Sequence, residues 1–313
     1  MPERHLDTTS FLAGCGVALV TPFGSDERLD EEALARLVEH VVGGGVDFVV
    51  ALGTTGEAVS QTPEECRHVL RRIHDLVDGR VPLVAGPFGG NSTRGVAERM
   101  RAYREVLELP GYRALMSSVP SYVKPSQAGM RAHFLALADA SPLPMLLYNV
   151  PSRTGCNMSA ATTLELAAAS DRFCGVKEAS GDLAQGMALL RERPRGFAVL
   201  SGDDPTALPL MACGADGVVS VVANAYPKTW VAMTRAALAG KRSAAKRAND
   251  ILLPLHRYLY CDGNPAGIKA VLAQLGLCDD RVRLPLAAVS EATDEAIARE
   301  VLRIAAEVAP AWA

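Results

Sequence analysis

A chain of 313 residues, 49% hydrophobic and 21% charged with a formal net charge of −3, has the composition of an ordinary globular protein long enough for one large domain and an appendage. The scattered Lys and Arg form no basic stripe of the kind nucleic acid requires, and Lys241-Arg242 with Lys246-Arg247 read as a solvated helix face. Residues 1–10 lack the apolar core of a signal peptide and no apolar run approaches the ~20 residues that cross a bilayer, so we expect a cytoplasmic protein with no membrane and no nucleic-acid partner.

In chain order, short apolar runs alternate with amphipathic stretches, the pattern of repeated β-α units around a parallel sheet. Eight runs qualify as strands, at 16–23, 48–52, 82–86, 112–119, 144–150, 173–180, 197–203 and 217–222. Eight such units predict a (β/α)8 TIM barrel, whose active site lies where the strands end. The punctuation between them is specific. Gly43-Gly44-Gly45 stops one helix, and Thr62-Pro63-Glu64-Glu65 starts the next with a capping box and a proline at its first position. Gly86-Pro-Phe-Gly-Gly-Asn91 lacks the spacing of a phosphate-binding loop and is assigned to a turn. Asp203 and Asp204 are adjacent, so they face opposite ways; we expect them to cap the following helix and not to pair. Beyond about residue 240 the β-runs cease and helical stretches follow at 244–260, 265–275 and 291–308. The expected organisation is a barrel over residues 1–240 and a small helical C-terminal subdomain over 241–313, packed as one unit.

Seven cysteines, at 15, 66, 156, 174, 213, 261 and 278, are odd in number, widely spread and without a C-x-x-C pair, which predicts reduced thiols and no metal site. Polar groups gather instead at the ends of three apolar runs: Ala51-Leu-Gly-Thr-Thr-Gly-Glu57, Leu146-Leu-Tyr-Asn-Val-Pro-Ser-Arg-Thr-Gly155 and Phe173-Cys-Gly-Val-Lys-Glu-Ala-Ser180. An apolar setting strips hydration from an ammonium and favours the neutral amine, which forms Schiff bases with ketones. Lys177 is the candidate amine, although alone it also fits a strand-end lysine with a packed stem and a hydrated head. Imine formation further needs a proton route and donors for a keto-acid carboxylate. The two-residue period puts Leu146, Tyr148 and Val150 on one face, so Tyr148 can point inward, either to the chemistry or to a structural hydrogen bond. Thr54 and Thr55 offer hydroxyls and backbone N–H groups to an anion, or form only a turn. Cys156 and Cys174 lie close by, but neither has a histidine nearby in sequence, and Cys174 reads as core filler.

Taken in order, the GxxGE segment from Gly53 to Glu57, the tyrosine with x-x-P (Tyr148, Pro151) and the strand lysine Lys177 resemble the dihydrodipicolinate synthase and N-acetylneuraminate lyase family of Schiff-base aldolases. The likeness runs from Gly16-Val-Ala-Leu-Val-Thr-Pro-Phe23 to Arg283-Leu-Pro285. It implies a barrel followed by helices that contribute to assembly. It also implies that Lys177 attacks the ketone of pyruvate, that Tyr148 relays protons, and that Thr55 binds the pyruvate carboxylate. By the same resemblance, Thr54 links Tyr148 to a second tyrosine donated by a neighbouring subunit. The matching residue is Tyr122, in the loop Val119-Pro-Ser-Tyr-Val-Lys-Pro-Ser-Gln127. Gly202 and Val219 match positions that line the family's pocket, Val219 through its backbone carbonyl. No cofactor beyond the covalent imine is implied, and the assembly that the resemblance implies is a homo-oligomer, a tetramer built as a dimer of dimers, although helix faces alone do not tell a dimer from a tetramer.

Arg153 discriminates within the family. Its planar fork suits a carboxylate, and in the synthase branch the pattern Tyr-Asn-x-Pro-x-Arg-Thr-Gly places it on the carboxylate of aspartate semialdehyde, where the sialic-acid lyases resemble one another in having an apolar residue. The expected reaction is condensation of pyruvate with L-aspartate 4-semialdehyde. The rival readings are an aldolase or dehydratase acting on a keto-deoxy sugar acid, hydroxy-oxoglutarate or N-acetylneuraminate, and a silent keto-acid-binding paralogue. Departures also occur. Ala58, Val59, Pro63, Cys66 and Gly95 stand where feedback-inhibited members carry histidines and a glutamate around a lysine pocket, and Ser121 replaces a tyrosine before Tyr122. Weak or absent inhibition by lysine is therefore expected, and strong inhibition near millimolar lysine would count against it.

Overall fold

The computed structural model describes residues 10–308. Eight parallel strands close into one barrel in sequence order: β1 (Gly14–Ala18), β2 (Phe48–Ala51), β3 (Leu83–Ala85), β4 (Tyr112–Ser118), β5 (Met145–Asn149), β6 (Phe173–Glu178), β7 (Ala198–Ser201) and β8 (Gly217–Ser220). Each lies within or beside one of the eight apolar runs, and the predicted TIM barrel is the observed fold. β1 is the strand that departs most: it begins at Gly14 and ends at Ala18, because Val20 turns its N–H to the side chain of Asn224 and Pro22 has no N–H to give a ladder.

Two apolar layers follow from alternation along the strands. Inside the barrel lie Ala18, Phe48, Val50, Ala114, Leu146 and Leu200 with their neighbours, over a floor made by Leu12 and Phe11. Between strands and helices lies the larger core, in which Trp230 is fully buried. The first and last strands meet where Gly14 pairs with Gly217. Gly217 has φ of +157°, and a Cβ there would lie 1.9 Å from the Gly14 carbonyl oxygen, so only glycine closes this seam.

The helices begin as their sequences direct. Thr62 and Glu65 form the reciprocal capping box on the helix Pro63–Val77, with Pro63 at its first position. The helix Glu31–Gly43 is followed by Gly45 at φ of +88°. After β8 come Pro227–Leu238, Arg242–His256, Ala266–Gln274 and Glu291–Val308, with Pro227–Leu238 and Arg242–His256 packed on each other. Among the described residues no helix is long and apolar enough to cross a membrane, and no three His, Cys, Asp or Glu side chains come together as a metal ligand set. All seven cysteines are free.

Candidate active site

Lys177 reaches the barrel interior through an irregularity in β6. Phe173 faces the helices and Cys174 faces the interior, so strict alternation would send Lys177 outward. The register against β5 shifts instead: Met145 pairs with Phe173 but Leu146 pairs with Gly175, leaving Cys174 as the extra residue of a β-bulge. Beyond it, Val176 faces the helices and Lys177 faces in. Gly175 permits this, because a Cβ there would lie 2.5 Å from the Ala198 carbonyl oxygen.

Tyr148 and Lys177 consequently stand side by side as register partners, with Nζ of Lys177 4.3 Å from the centroid of the Tyr148 ring. Lys177 is only 4% exposed. Gly202, just past β7, completes the enclosure: its N–H donates to the Glu178 carbonyl, and a Cβ on it would lie 2.8 Å from Cγ and 2.9 Å from Cε of Lys177. Val219 is buried in the same interior layer. On the outer face, Glu178 braces the pair of strands. Its carboxylate accepts from Asn149 Nδ2 at 3.2 and 3.1 Å, from Gln185 Nε2 at 2.9 Å and from the Ser180 N–H at 2.7 Å.

Thr54 and Thr55 sit in a tight 3-10 turn, Thr54–Gly56, between Leu52 at φ of +55° and Glu57 at φ of +54°. Two left-handed non-glycine residues so close together require support. The Gly56 carbonyl accepts from Thr21 Oγ1 at 2.7 Å and Gln61 Nε2 at 2.8 Å, while Gly86 packs so closely on Gly53 that a Cβ would meet its nitrogen at 2.7 Å. Glu57 is buried and receives Lys269 Nζ at 2.5 Å and the Arg283 N–H at 3.1 Å. Burial pulls the Lys269 ammonium below the usual amine range, and the Glu57 carboxylate pulls it back up. Arg283 in turn forks onto Glu65, whose carboxyl is held down to about 2 by that guanidinium.

The same late segment touches both Thr55 and Arg153. Asn264 Nδ2 donates to Thr55 Oγ1 at 3.1 Å, and the Asn264 carbonyl accepts from Arg153 Nη2 at 3.2 Å. Tyr260 is also there; burial, then the nearby Asp204 and Asp203, push its phenol well above the usual range, with Tyr148 and Arg153 close enough to act on it. Asp204 does not serve as the helix cap expected of it. Its carboxylate accepts the N–H groups of Val221 at 3.0 Å and Val222 at 2.8 Å, while Asp203 occupies the cap position but accepts from the Thr206 hydroxyl. Burial raises Asp204, and the neighbouring His256 offsets part of that rise.

Of the residues singled out in the sequence, Lys177, Tyr148, Gly202 and Val219 converge inside the barrel, with Thr55 beside them on the turn that follows β2. Arg153 stands above, exposed, on the short helix Pro151–Thr154. Among the described residues no hydrogen bond joins the Thr54 hydroxyl to Tyr148. Tyr122 does not enter its own chain's pocket: it is 86% exposed, at φ of +67°, with its N–H on the Thr154 carbonyl. Val59 is also fully exposed. Asn264, Lys269 and Tyr260 were not singled out, because their partners lie far away in sequence and only the glutamate of the GxxGE segment hinted that a buried cation was needed.

The dihydrodipicolinate synthetase family model matches residues 11–304. The chain belongs to that family. A protein of Parabacteroides distasonis named 4-hydroxy-tetrahydrodipicolinate synthase is 45% identical over 292 residues, which is 93% of this chain and 96% of its own. Among solved structures of the dihydrodipicolinate synthetase family, the chloride-inhibited enzyme of Acinetobacter baumannii complexed with pyruvate superposes with a TM-score of 0.89 at 38% identity, covering 94% of this chain and 99% of that one. A monomeric dihydrodipicolinate synthase variant matches with a TM-score of 0.91 at 31% identity, covering 96% and 99%. These two solved structures match the present chain over nearly its whole length.

Proposed function

We propose that the chain is a 4-hydroxy-tetrahydrodipicolinate synthase that condenses pyruvate with L-aspartate 4-semialdehyde through an imine on Lys177, a step in making diaminopimelate and lysine. The observation that carries this reading is the enclosed Lys177 amine against the Tyr148 ring at the C-terminal ends of adjacent strands. The neutral Nζ adds to C2 of pyruvate, and the carbinolamine loses water to give the imine. Loss of a methyl proton then gives an enamine, whose carbon attacks the aldehyde of the semialdehyde. The amino group of the bound product finally attacks the imine carbon, closing the ring and releasing the Lys177 amine.

Tyr148 is placed to carry protons to and from the nitrogen and the aldehyde oxygen. Thr55 takes the pyruvate carboxylate, Gly202 and Val219 shape the space around the methyl and carboxylate, and Arg153 takes the carboxylate of the semialdehyde. Thr54 passes protons between Tyr148 and Tyr122 of a neighbouring copy, so the working form is a homo-oligomer. The outward Tyr122 supports this arrangement. The imine itself supplies the electron sink, and no cofactor is invoked.

The test is pyruvate-dependent turnover of L-aspartate 4-semialdehyde, coupled to dihydrodipicolinate reductase and followed as NADPH loss. Robust turnover is expected. A pyruvate imine that borohydride traps, without turnover of the semialdehyde, would leave Lys177 in place and overturn the acceptor assigned from Arg153.

A further inference from the structure

The residue that joins the two substrate ends is Asn264, and it comes from a segment outside the barrel. It is 6% exposed, its amide nitrogen donates to Thr55 Oγ1 at 3.1 Å, and its main-chain oxygen holds Arg153 Nη2 at 3.2 Å. We propose that Asn264 is a positioning residue for this reaction, setting the Thr55 hydroxyl so that its proton points at the keto-acid carboxylate while its backbone anchors the arginine of the acceptor subsite. The proposal deepens the synthase reading and rests on it.

A hydroxyl has one proton to donate and two lone pairs to accept with. Occupied as an acceptor by Asn264 Nδ2, Thr55 keeps its proton free for an anion. If an acceptor stood in place of Nδ2, that proton would turn toward residue 264 and away from substrate. The orientation of the amide is therefore functional, and two features hold its segment in place. Lys269, one turn along the helix Ala266–Gln274, is bolted to Glu57, and Glu57 lies two residues after Thr55. The Arg283 N–H holds the other carboxylate oxygen of Glu57. Asn264 Oδ1, meanwhile, is buried and has no hydrogen-bond partner among the described residues. The nitrogen end of the amide is thus the end aligned on Thr55.

The experiment measures borohydride trapping of pyruvate as a function of pyruvate concentration for the wild-type chain, Asn264→Asp and Asn264→Ser, with melting temperature as the fold control. Asp keeps the shape but replaces the donor with acceptors and adds a negative charge beside the keto-acid carboxylate, so it sets the upper bound and Ser the uncharged comparison. We expect the pyruvate concentration for half-maximal trapping to rise roughly tenfold, the worth of one hydrogen bond of ordinary strength. The KM for the semialdehyde should stay within about twofold, since Arg153 is held by main chain. Ser, which retains a hydroxyl donor, serves if Asp fails to fold, and should show a smaller rise. A cycle of the uncharged Asn264→Ser with Thr55→Val gives the readout a structural role would not move: with the Thr55 hydroxyl gone, Asn264→Ser should no longer weaken pyruvate. Equal trapping curves for wild type and both variants, or an undiminished effect in the Thr55→Val background, overturns the positioning role while the synthase reading stands. No trapping in the wild type overturns both.

Discussion

Gly202→Ala is the sharpest probe of how Lys177 is held. The new methyl carbon would lie 2.8 Å from Cγ and 2.9 Å from Cε of Lys177, and 2.7 Å from Cβ of Ala179. Carbon atoms rest at about 3.5–4.0 Å, so the overlap with the lysine stem is about 0.6–1.2 Å. Ala179 Cβ is fixed to the backbone, and its N–H is tied to the Asn149 carbonyl, so most of the relief falls on the lysine stem. A nucleophile displaced by about 1 Å loses on the order of 100-fold in rate, and overpacking of a closed core costs about 1–3 kcal/mol. For a chain of this size that is a fall of several degrees in melting temperature. The assay is rapid-quench borohydride trapping with pyruvate, read by intact mass, with Lys177→Ala as the untrappable reference. Wild-type trapping rate with wild-type melting temperature in Gly202→Ala would refute the enclosure argued for Lys177.

Arg153→Leu should raise the apparent KM for the semialdehyde far more than that for pyruvate, and equal changes in both would remove Arg153 from the acceptor subsite. Lys269→Met leaves Glu57 buried without its cation, for which we expect a loss of about 3–5 kcal/mol in denaturant titration, largely recovered in the double variant Lys269→Met with Glu57→Leu; a single variant as stable as wild type would show the pair to be dispensable. The Glu65–Arg283 clasp has a pH signature. Its carboxyl is lowered from an ordinary 4.5 to about 2, so the clasp contributes its full stability above pH 4.5 and loses it as pH falls toward 2. Wild type and Glu65→Gln should accordingly differ in stability at neutral pH and converge in acid, and a difference that persists at pH 2 would contradict the assignment.

Much of the barrel was legible because its signals are local. Eight apolar runs, the Thr62–Glu65 capping box and the glycines after Val42 each declare themselves within a few residues, and the strand ends then locate Tyr148 and Lys177. The bulge at Cys174 was not legible. Counting in twos from Phe173 along an unbroken strand points Lys177 at solvent-side helices, and only the register against β5 shows that one residue is set aside. Nor was the support of the Thr54–Glu57 turn, whose partners Asn264, Lys269 and Arg283 lie 209, 212 and 226 residues from Thr55 or Glu57. Asp204 misled for a related reason: a position just after a strand suits a cap, but the N–H groups of Val221 and Val222 were within reach of its carboxylate only once the barrel had curved round.

The clasp on Glu57 also bears on how the molecule comes into being. A ribosome delivers Glu57 early and its two partners late, with Lys177 and the last barrel strand in between. At ordinary elongation rates the nascent chain carries every strand for some seconds before Lys269 and Arg283 emerge. Until then Glu57 is without Lys269, and Thr55 without the Asn264 amide. Lys177 and the support of the Thr54–Glu57 turn are thus separated along the chain, and that turn gains its buried partners only from the segment after the barrel.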